Sequence, residues 1–568
     1  MLCHVCSAQL SVSNSNYIFT TDAYIYVEDD LNLVNSDSNL YLRNDAQLVQ
    51  GSGTTGNAGL GNLSVYQSGT VNEYAYNYWC SPIGNNDAND NANRDFRVNL
   101  LDDATGLLTS TDALFTGGYN GISSPLTIAS YWLYTFQASS NYSEWSHAGS
   151  SGAIAPGIGF TMKGTNGSGE SQLYDFRGKP NNGDITSAVN TSEWTLVGNP
   201  YPSTIDALDF IHDTDNVSSI TGTLYYWDQN VGQTSHNLAD YEGGYATYTI
   251  TAGGVETITP ATYSSFDNSG NVVVNPGLGT GSFEPTRYVP IGYGFMVEGI
   301  ASDFFYLKNA HREYHSSGGT RSSGPGGTQY NEHGYNIVPE DFKRFRINVI
   351  LNNTYTRQLV HNFHATATNG FDHGMESKSP QGVASDAYWT LNDTPYVIQA
   401  NNFDVNLTIP LVINLAQQQS VSINIFDIQR FDENQPIYVH DILNDTYVDL
   451  RTQDFDITLD SGLYEDRFEI TFEIEDTLGN PEVTFEDFSI IQDNNSNQLV
   501  IKNPNGLDIQ SLNLIDTAGK LVLNKINLGD QDTIRLSTEQ MSSGVYITTV
   551  KTKNNQSISK KIIINNNH

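Results

Sequence analysis

The sequence predicts an all-β fold: a multidomain chain of β-sandwich-like modules that ends in a small immunoglobulin-like β-sandwich. Three observations predict it. Apolar runs are short and punctuated by turn formers, with 49 Gly and 18 Pro in 568 residues, as strands separated by turns should be. Helical periodicity is nearly absent. Aromatic residues, which favour pleated surfaces, are abundant at 33 Tyr, 24 Phe and 6 Trp. The length accommodates about three to five domains of ~100–200 residues each.

Charge and cysteine content narrow the function classes. The chain carries 26 basic and 63 acidic residues, a net charge of −37. No basic stripe is available to neutralise phosphates, which excludes nucleic acid as a partner. Cys3 and Cys6 lie at the extreme N-terminus, so the body holds only Cys80. That permits neither a disulfide framework nor a cysteine zinc site. No apolar run is long enough to span a membrane.

Taken in order, residues 1–8 (Met1-Leu2-Cys3-His4-Val5-Cys6-Ser7-Ala8) read as a signal-peptide remnant. Small residues at Cys6 and Ala8 fit cleavage before Gln9. Residues 9–70 hold Tyr24–Val27, Leu31–Leu33, Leu40–Leu42 and Leu48–Val49 at spacings of roughly eight residues. This predicts either consecutive hairpins or one to two rungs of a β-solenoid.

Residues 71–175 and 190–305 read as two copies of one aromatic β module. Tyr76 stands six residues before Pro82, and Trp194 six before Pro200. Aromatic strands are expected at Tyr131–Tyr134 and Leu224–Trp227. Each copy ends in G-x-G-F-x-x-x-G, at Gly157, Gly159, Phe160, Gly164 and at Gly292, Gly294, Phe295, Gly299. No helix follows these glycines, so they are not a phosphate loop. They predict a bent strand that another backbone approaches closely, with Phe160 and Phe295 buried beside it. The Trp…GNPYP…YYWD…GYGF pattern resembles repeats found upstream of sorting domains in flavobacterial surface proteins.

Residues 306–340 include Ser316–Gly319 and Ser322–Gly327, a Gly/Ser-rich linker or loop. Residues 341–475 predict a β-sandwich. Its clearest strands are Phe345–Leu351, Gln358–Thr366, Val405–Leu411, Val421–Phe426, Ile437–Asp441 and Phe468–Phe472. Tyr438–Asp441, Asp449-Leu450, Asp456-Ile457 and Asp466–Phe468 resemble the sandwich that commonly precedes a sorting domain in the same group. Asp476–Pro481 is the expected linker onward.

Residues 484–568 form a domain of their own. From residue 485 onward there are eight residues of each charge sign, leaving 18 basic and 55 acidic residues upstream. A shift of that size marks a boundary. Short Val-, Ile- and Thr-rich runs alternate with turns, as in a small sandwich. Three motifs stand in order. They are Leu514-Ile515-Asp516-x-x-Gly519-Lys520-Leu521-Val522, Met541–Ile547 with Gly544, Val545 and Tyr546, and Lys560-Lys561-Ile562-Ile563-Ile564. This stretch resembles the type A C-terminal sorting domain of the type IX secretion system of Bacteroidetes. The resemblance implies passage across the outer membrane, the secretion machinery as partner, removal of the domain afterwards, and an extracellular or cell-surface location.

Candidate ligand sites are few. His311, His315, His333, His361, His364 and His373 cluster in sequence, but His361 and His364 point to opposite sides of a strand, and zinc needs convergence. Asp87, Asn89, Asn91 and Asn93 alternate like a calcium loop. The glycine at the sixth position and the glutamate at the twelfth are missing, and Val98 stands in the latter's place. A solvated polar loop is the expectation there, and no cofactor is expected. Nucleophile elbow, H-E-x-x-H and Walker sequences are absent, so an enzyme is not expected. The leading expectation is adhesion or structural display, including self-assembly. A glycan-binding module is the first alternative, because aromatic rings stack on sugar faces. An unrecognised secreted hydrolase is the second. An exposed aromatic platform favours glycan, an open strand edge favours self-association, and a pocket with converging carboxylates favours catalysis.

Deleting Asn497–His568 should leave the protein in the periplasm. Fusing residues 485–568 behind a signal peptide and a fluorescent reporter should send the reporter outside. Cell fractionation checks both, and a truncated chain found in the medium would remove the sorting assignment.

Overall fold

The computed structural model describes residues 9–566, apart from 54, 88–89, 272, 274–278, 317–334, 381, 475–487 and 554–556. The expected signal-peptide remnant and the Asp476–Pro481 linker lie outside the described residues. The architecture is all-β, with a single five-residue α-helix, Ala207–Ile211, among the described residues. The chain divides into two compact units, up to Ile474 and from Glu475.

The N-terminal segment is a solenoid. Leu10–Val12, Tyr17–Thr21 and Tyr24–Val27 form the first rung. They pair in parallel with Leu31–Leu33, Asn39–Arg43 and Gln47–Gln50 of the second. Ala58–Gly59 and Asn62–Gly69 add a partial third rung, also in parallel. Parallel pairing excludes the hairpin alternative, because a hairpin is antiparallel. The roughly eight-residue spacing is the distance from one side of a rung to the next. Leu31, Leu33, Leu40, Leu42 and Leu48 fill the interior. The third rung is capped by Gln172–Pro180, which runs antiparallel to Asn62–Gly69. That strand therefore joins the solenoid's sheet although it lies at the end of the first aromatic module.

The two aromatic modules share one strand order. In the first, Tyr76–Cys80 pairs with Gly159–Lys163, which pairs with Tyr134–Thr135, which pairs with Ser146–His147. In the second, Trp194–Gly198 pairs with Gly294–Glu298, which pairs with Thr223–Gln229, which pairs with Gly243–Ile250. The register matches as well. Cys80 faces Gly159 and Trp79 faces Phe160, as Gly198 faces Gly294 and Val197 faces Phe295. Phe160 and Phe295 are fully buried. Tyr131 and Trp132 depart from the expected strand and form the 3-10 turn Ser130–Trp132. The indole Nε1–H donates to the Tyr119 carbonyl at 2.7 Å, which draws that turn onto a neighbouring loop.

The modules dock reciprocally. Trp79 bridges to Tyr293, and Val197 bridges to Ile158. The Cys80 amide donates to the Gly292 carbonyl at 2.8 Å. A Cβ on Gly294 would sit 2.8 Å from the Tyr78 carbonyl carbon, and one on Gly159 would sit 2.8 Å from the Val197 carbonyl oxygen. Glycine is required at both because backbone, which cannot yield, occupies the space a side chain needs.

The stretch expected as a linker from 306 is described as far as Ser316 and again from Tyr335. It holds the end of strand Asp303–Leu307 and the strand Arg312–Glu313. Arg312 is buried and donates to Ser203 Oγ at 3.0 Å, so it cannot belong to a free linker. The glycine-rich core of that stretch, 317–334, lies outside the described residues.

The segment 341–474 is one sheet rather than two. Ten described strands run in a single ladder from Thr446–Asp449 to Phe455–Leu459, and an eleventh, Ser377–Lys378, pairs with Thr394–Asn401 beside it. The sheet closes around one core, and Phe455 near one edge packs against Phe468 near the other at 5.8 Å. Asp386–Leu391 and Thr394–Asn401 form a hairpin that the sequence reading missed. Its turn, Asn392-Asp393, has positive φ at both residues, the signature of a two-residue hairpin loop. Arg344 and Arg346 are fully buried and donate to Glu256 and Ile258 carbonyls, fastening this sheet to the second module.

In the second unit, Ser489–Asp493, Gln498–Lys502 and Thr533–Ser537 form one sheet. Leu521–Gly529, Ile509–Asp516, Gly544–Thr552 and Ser557–Ile564 form the other. Ile490, Leu499, Ile501, Leu512 and Leu514 are buried in its core.

Phe295→Ala should cost ~3–5 kcal/mol in urea unfolding of the intact chain, because the ring leaves a cavity that fixed backbone cannot fill. Gly294→Ala should destabilise too, by pushing a Cβ into the Tyr78 backbone. A Phe295→Ala variant of unchanged stability would contradict the packing described.

Candidate aromatic cleft and sorting site

Strand alternation builds a cleft on the face of the module sheets opposite the cores. On Tyr76–Cys80, Trp79 points inward against Tyr174 and Phe176. Tyr76 and Tyr78 therefore point the other way. On the paired strand, Phe160 and Met162 are fully buried while Thr161 and Lys163 share the face of Tyr78 and Tyr76. On Thr223–Gln229, Leu224 and Tyr226 enter the core and Trp227 faces the cleft.

These faces enclose a cleft of about 380 Å³. The first module contributes Tyr76, Tyr78, Trp132, Tyr134, Trp145 and Thr161, with Tyr131, Tyr142 and Ser143 towards the opening. The second contributes Trp227, Leu238, Tyr241, Tyr245 and Phe266. None of the fourteen is charged. Tyr131 and Tyr142 are 42% and 47% exposed.

The rings brace one another. Trp227 meets Tyr245 edge-on at 5.2 Å and lies parallel to Tyr78 at 6.1 Å. Tyr78 and Tyr245 share a hydroxyl–hydroxyl hydrogen bond of 3.1 Å. Trp145 packs on Phe136 at 4.8 Å. Burial raises the Tyr76 and Tyr78 phenols well above their ordinary value and takes Tyr245 to about 12. All three stay protonated at physiological pH, each able both to donate and to accept.

Lys163 sits behind this wall. It is 4% exposed, with its Nζ 3.6 Å from the Trp132 ring centre and 4.7 Å from those of Tyr76 and Tyr241. Burial pushes its ammonium down to about 7, while the three ring faces favour the charged form. Nζ donates to His236 Nδ1 at 3.1 Å, and His236 Nε2 reaches Asn120 Oδ1 at 3.1 Å. The His236 ring lies nearly parallel to Trp132 at 5.1 Å. Burial and then the Lys163 charge depress His236 to about 4. This chain latches the segment carrying Leu238 and Tyr241 to the first module. At the matching register position of the second module stands Glu298, which meets Lys378 at 2.6 Å.

The other predicted sites are dispersed. Asn89 lies outside the described residues. Asp87 and Asp90 meet Arg94 at 3.2 and 2.7 Å, and Lys179 donates to the Asp90 and Ala92 carbonyls. Asn93 exchanges hydrogen bonds with Asn182, and Asn91 places its carbonyl where Gly56 would carry a Cβ. Of the four candidate ligands, Asp87 is thus paired with a cation. His311 bonds Asp213, His361 bonds Asn401, His373 bonds the Ile211 carbonyl, and His315 stacks on Tyr288. His364 bonds Thr366, and His333 lies outside the described residues. No metal-holding group of three His, Cys, Asp or Glu occurs among the described residues. Burial raises Glu376 to about 8 and Asp102 to about 6, and neither lines the cleft. His440 bonds Glu469, and Asp441 pairs with Arg467.

In the C-terminal unit the motif residues have physical roles. Asp516 Oδ1 accepts the Ala518 and Lys520 amides, and Gly519 adopts φ +80°, closing the turn before Leu521. Gly544 and Val545 open the strand that buries Tyr546, whose hydroxyl donates to the Ser542 carbonyl at 2.8 Å. Lys560 and Lys561 lie exposed on Ser557–Ile564, an edge strand.

Residues 117–472 match a family described as a domain of unknown function, DUF8693. The chain belongs to this family. The DUF8693 match begins within the first aromatic module, ends with the closed sheet and takes in twelve of the fourteen cleft residues, Tyr76 and Tyr78 preceding it. Residues 493–565 match the secretion system C-terminal sorting domain, and this DUF8693 protein is exported by the type IX route to the cell exterior. Among the described residues no helix is long and apolar enough to cross a membrane. No curated protein matches the chain. Two solved structures show similarity too slight to carry fold or function. The 47-kilodalton lipoprotein Tp47 of Treponema pallidum is 9% identical, with 64% of this chain and 92% of that one covered and a TM-score of 0.12. The BSP domain of a biofilm-associated protein is 11% identical, with 76% and 87% covered and a TM-score of 0.12.

The latch predicts a pH signature. His236 titrates near 6.5 when unfolded and at about 4 when folded. The unfolded state therefore binds more protons as pH falls through that window, and stability is lost from about pH 6.5 downward. His236→Gln keeps an acceptor for Lys163 but cannot be protonated. Its melting temperature should fall less than the wild type's between pH 6.5 and 4. Parallel curves would show that the latch does not contribute.

Proposed function

We infer that the exported protein is a non-catalytic adhesin, displayed at or released from the cell surface, that takes an external ligand into the aromatic cleft. The observation that carries this reading is the composition of the cleft wall. Three of the six Trp and seven Tyr converge there, with no carboxylate, imidazole or amine among the described lining groups. General acid–base or nucleophilic catalysis needs such groups within hydrogen-bond reach of a substrate. Stacking needs only rigid rings. The shared strand order and register of the two modules support their origin as copies, with the cleft arising where one copy faces the other. Cells carrying Tyr131→Ala and Tyr142→Ala should display or release the protein normally, by immunoblot, yet lose most of its contribution to surface attachment. Attachment equal to wild type would remove the cleft as the adhesive site.

Self-association is the second reading, and the first solenoid rung supports it. Among the described residues the outer edges of Leu10–Val12, Tyr17–Thr21 and Tyr24–Val27 pair with no strand. Those strands contain no charged residue or proline, the usual guards of an open edge. Tyr17, Tyr24 and Tyr26 are each more than half exposed. If edges join, Phe19→Lys should shift the purified protein to monomer in light scattering. A wild-type protein that is already monomeric at high concentration would exclude it.

A further inference from the structure

We propose that the cleft ligand is a neutral oligosaccharide, an inference that rests on the adhesin reading above. Three features select it. First, the described residues of the wall are uncharged within a chain of net charge −37. A carboxylate or sulfate entering the cleft would lose hydration and meet no cation, because Lys163 lies behind the Trp132, Tyr76 and Tyr241 rings and is bonded to His236.

Second, apart from backbone and the indole N–H groups, the polar atoms of the described lining are hydroxyls of Tyr, Ser143 and Thr161, of which Thr161 is already engaged by the Trp132 carbonyl and the Tyr134 amide and Tyr241 by the Tyr74 carbonyl. A hydroxyl both donates and accepts, and so does each hydroxyl of a sugar. The apolar C–H faces of the sugar ring can then lie on Trp227, Tyr78 or Trp145 while its rim hydroxyls meet phenols. A cationic headgroup would also favour ring faces, but it leaves the phenol hydroxyls unmatched and occupies little of about 380 Å³, a volume within the range of whole small-molecule sites.

Third, the wall is already formed. The Tyr78–Tyr245 bond, the Trp227–Tyr245 edge contact and the Lys163–His236 latch fix the rings from behind, so little ordering cost remains on binding. The half-exposed Tyr131 and Tyr142 continue the aromatic surface out through the opening. That extension fits a chain of sugars rather than a single one.

The test titrates the full-length purified chain by tryptophan fluorescence and calorimetry. The probes are a panel of neutral hexasaccharides (β-1,4-glucan, β-1,4-xylan, β-1,4-mannan and α-1,4-glucan), an oligogalacturonate and choline. At least one neutral hexasaccharide should bind, and Tyr131→Ala with Tyr142→Ala should weaken it at least tenfold. Both residues are about half exposed and lie outside the buried cores, so the variant should fold, and Trp227→Phe provides an independent variant that keeps a ring. Preference for oligogalacturonate or choline would overturn the proposal. So would the absence of binding to every neutral probe, or binding that the double variant leaves intact. If the double variant loses attachment in cells while no neutral saccharide binds, the adhesin reading stands and the ligand class is wrong. If attachment persists, the adhesin reading itself fails.

Discussion

At Gly159 and Gly294 two strands come so close that a single methyl group on either would collide with the opposing main chain. Each glycine lies in one module and receives the backbone of the other, Val197 at Gly159 and Tyr78 at Gly294. Much of the first unit is arranged around this mutual approach. It brings Trp79 and Val197 onto bridges with Tyr293 and Ile158. It sets Phe160 and Phe295 in cores on one side. On the other side it leaves Tyr78 and Trp227 facing each other 6.1 Å apart. A side chain at either glycine would collide with the main chain of the other module.

The separation of charge from the cleft follows from what burial costs. A chain of −37 pairs several of its enclosed carboxylates with cations, as Asp386 with Arg357 at 2.7 Å, while enclosed Glu376 is pushed up to about 8 instead. The walls made by strand faces are filled with rings, which lose little on leaving water. Lys163 is the exception, a cation held among three rings and a neutral imidazole. Its neighbour His236 stays unprotonated because burial disfavours its charged form and its protonation would place two cations 3.1 Å apart. The polar latch thus depends on the aromatic wall, and the wall's position depends on the latch.

The solenoid contributes a second constraint. Its third rung is closed by Gln172–Pro180, which ties it to the first module. Arg312 then crosses from beyond the second module to the Leu48 carbonyl. The solenoid, the modules and the closed sheet are consequently one compact unit rather than beads on a linker, and the export domain is the part that separates.

Local patterns in the sequence determined a good deal. Turn residues and β-branched runs located the strands of the sorting domain, and its three motifs identified the export route. The repeated G-x-G-F spacing placed both buried phenylalanines, because glycine-flanked strands and buried rings are local consequences of local residues. Only the tertiary structure decided what the strands pair with. The eight-residue rhythm of residues 24–50 suits a hairpin turn and a solenoid corner equally, and parallel pairing of Tyr17 with Asn39 chose the solenoid. The Asn392-Asp393 turn is local and legible in the sequence, whereas the single closed sheet around Phe455 and Phe468 is not. The cleft lies furthest from the sequence. Tyr78 and Trp227 are separated by some 150 residues, and alternation along each strand shows only that each ring leaves its own core. That the two open faces meet is set by the long-range docking at Gly159 and Gly294, which no local pattern encodes.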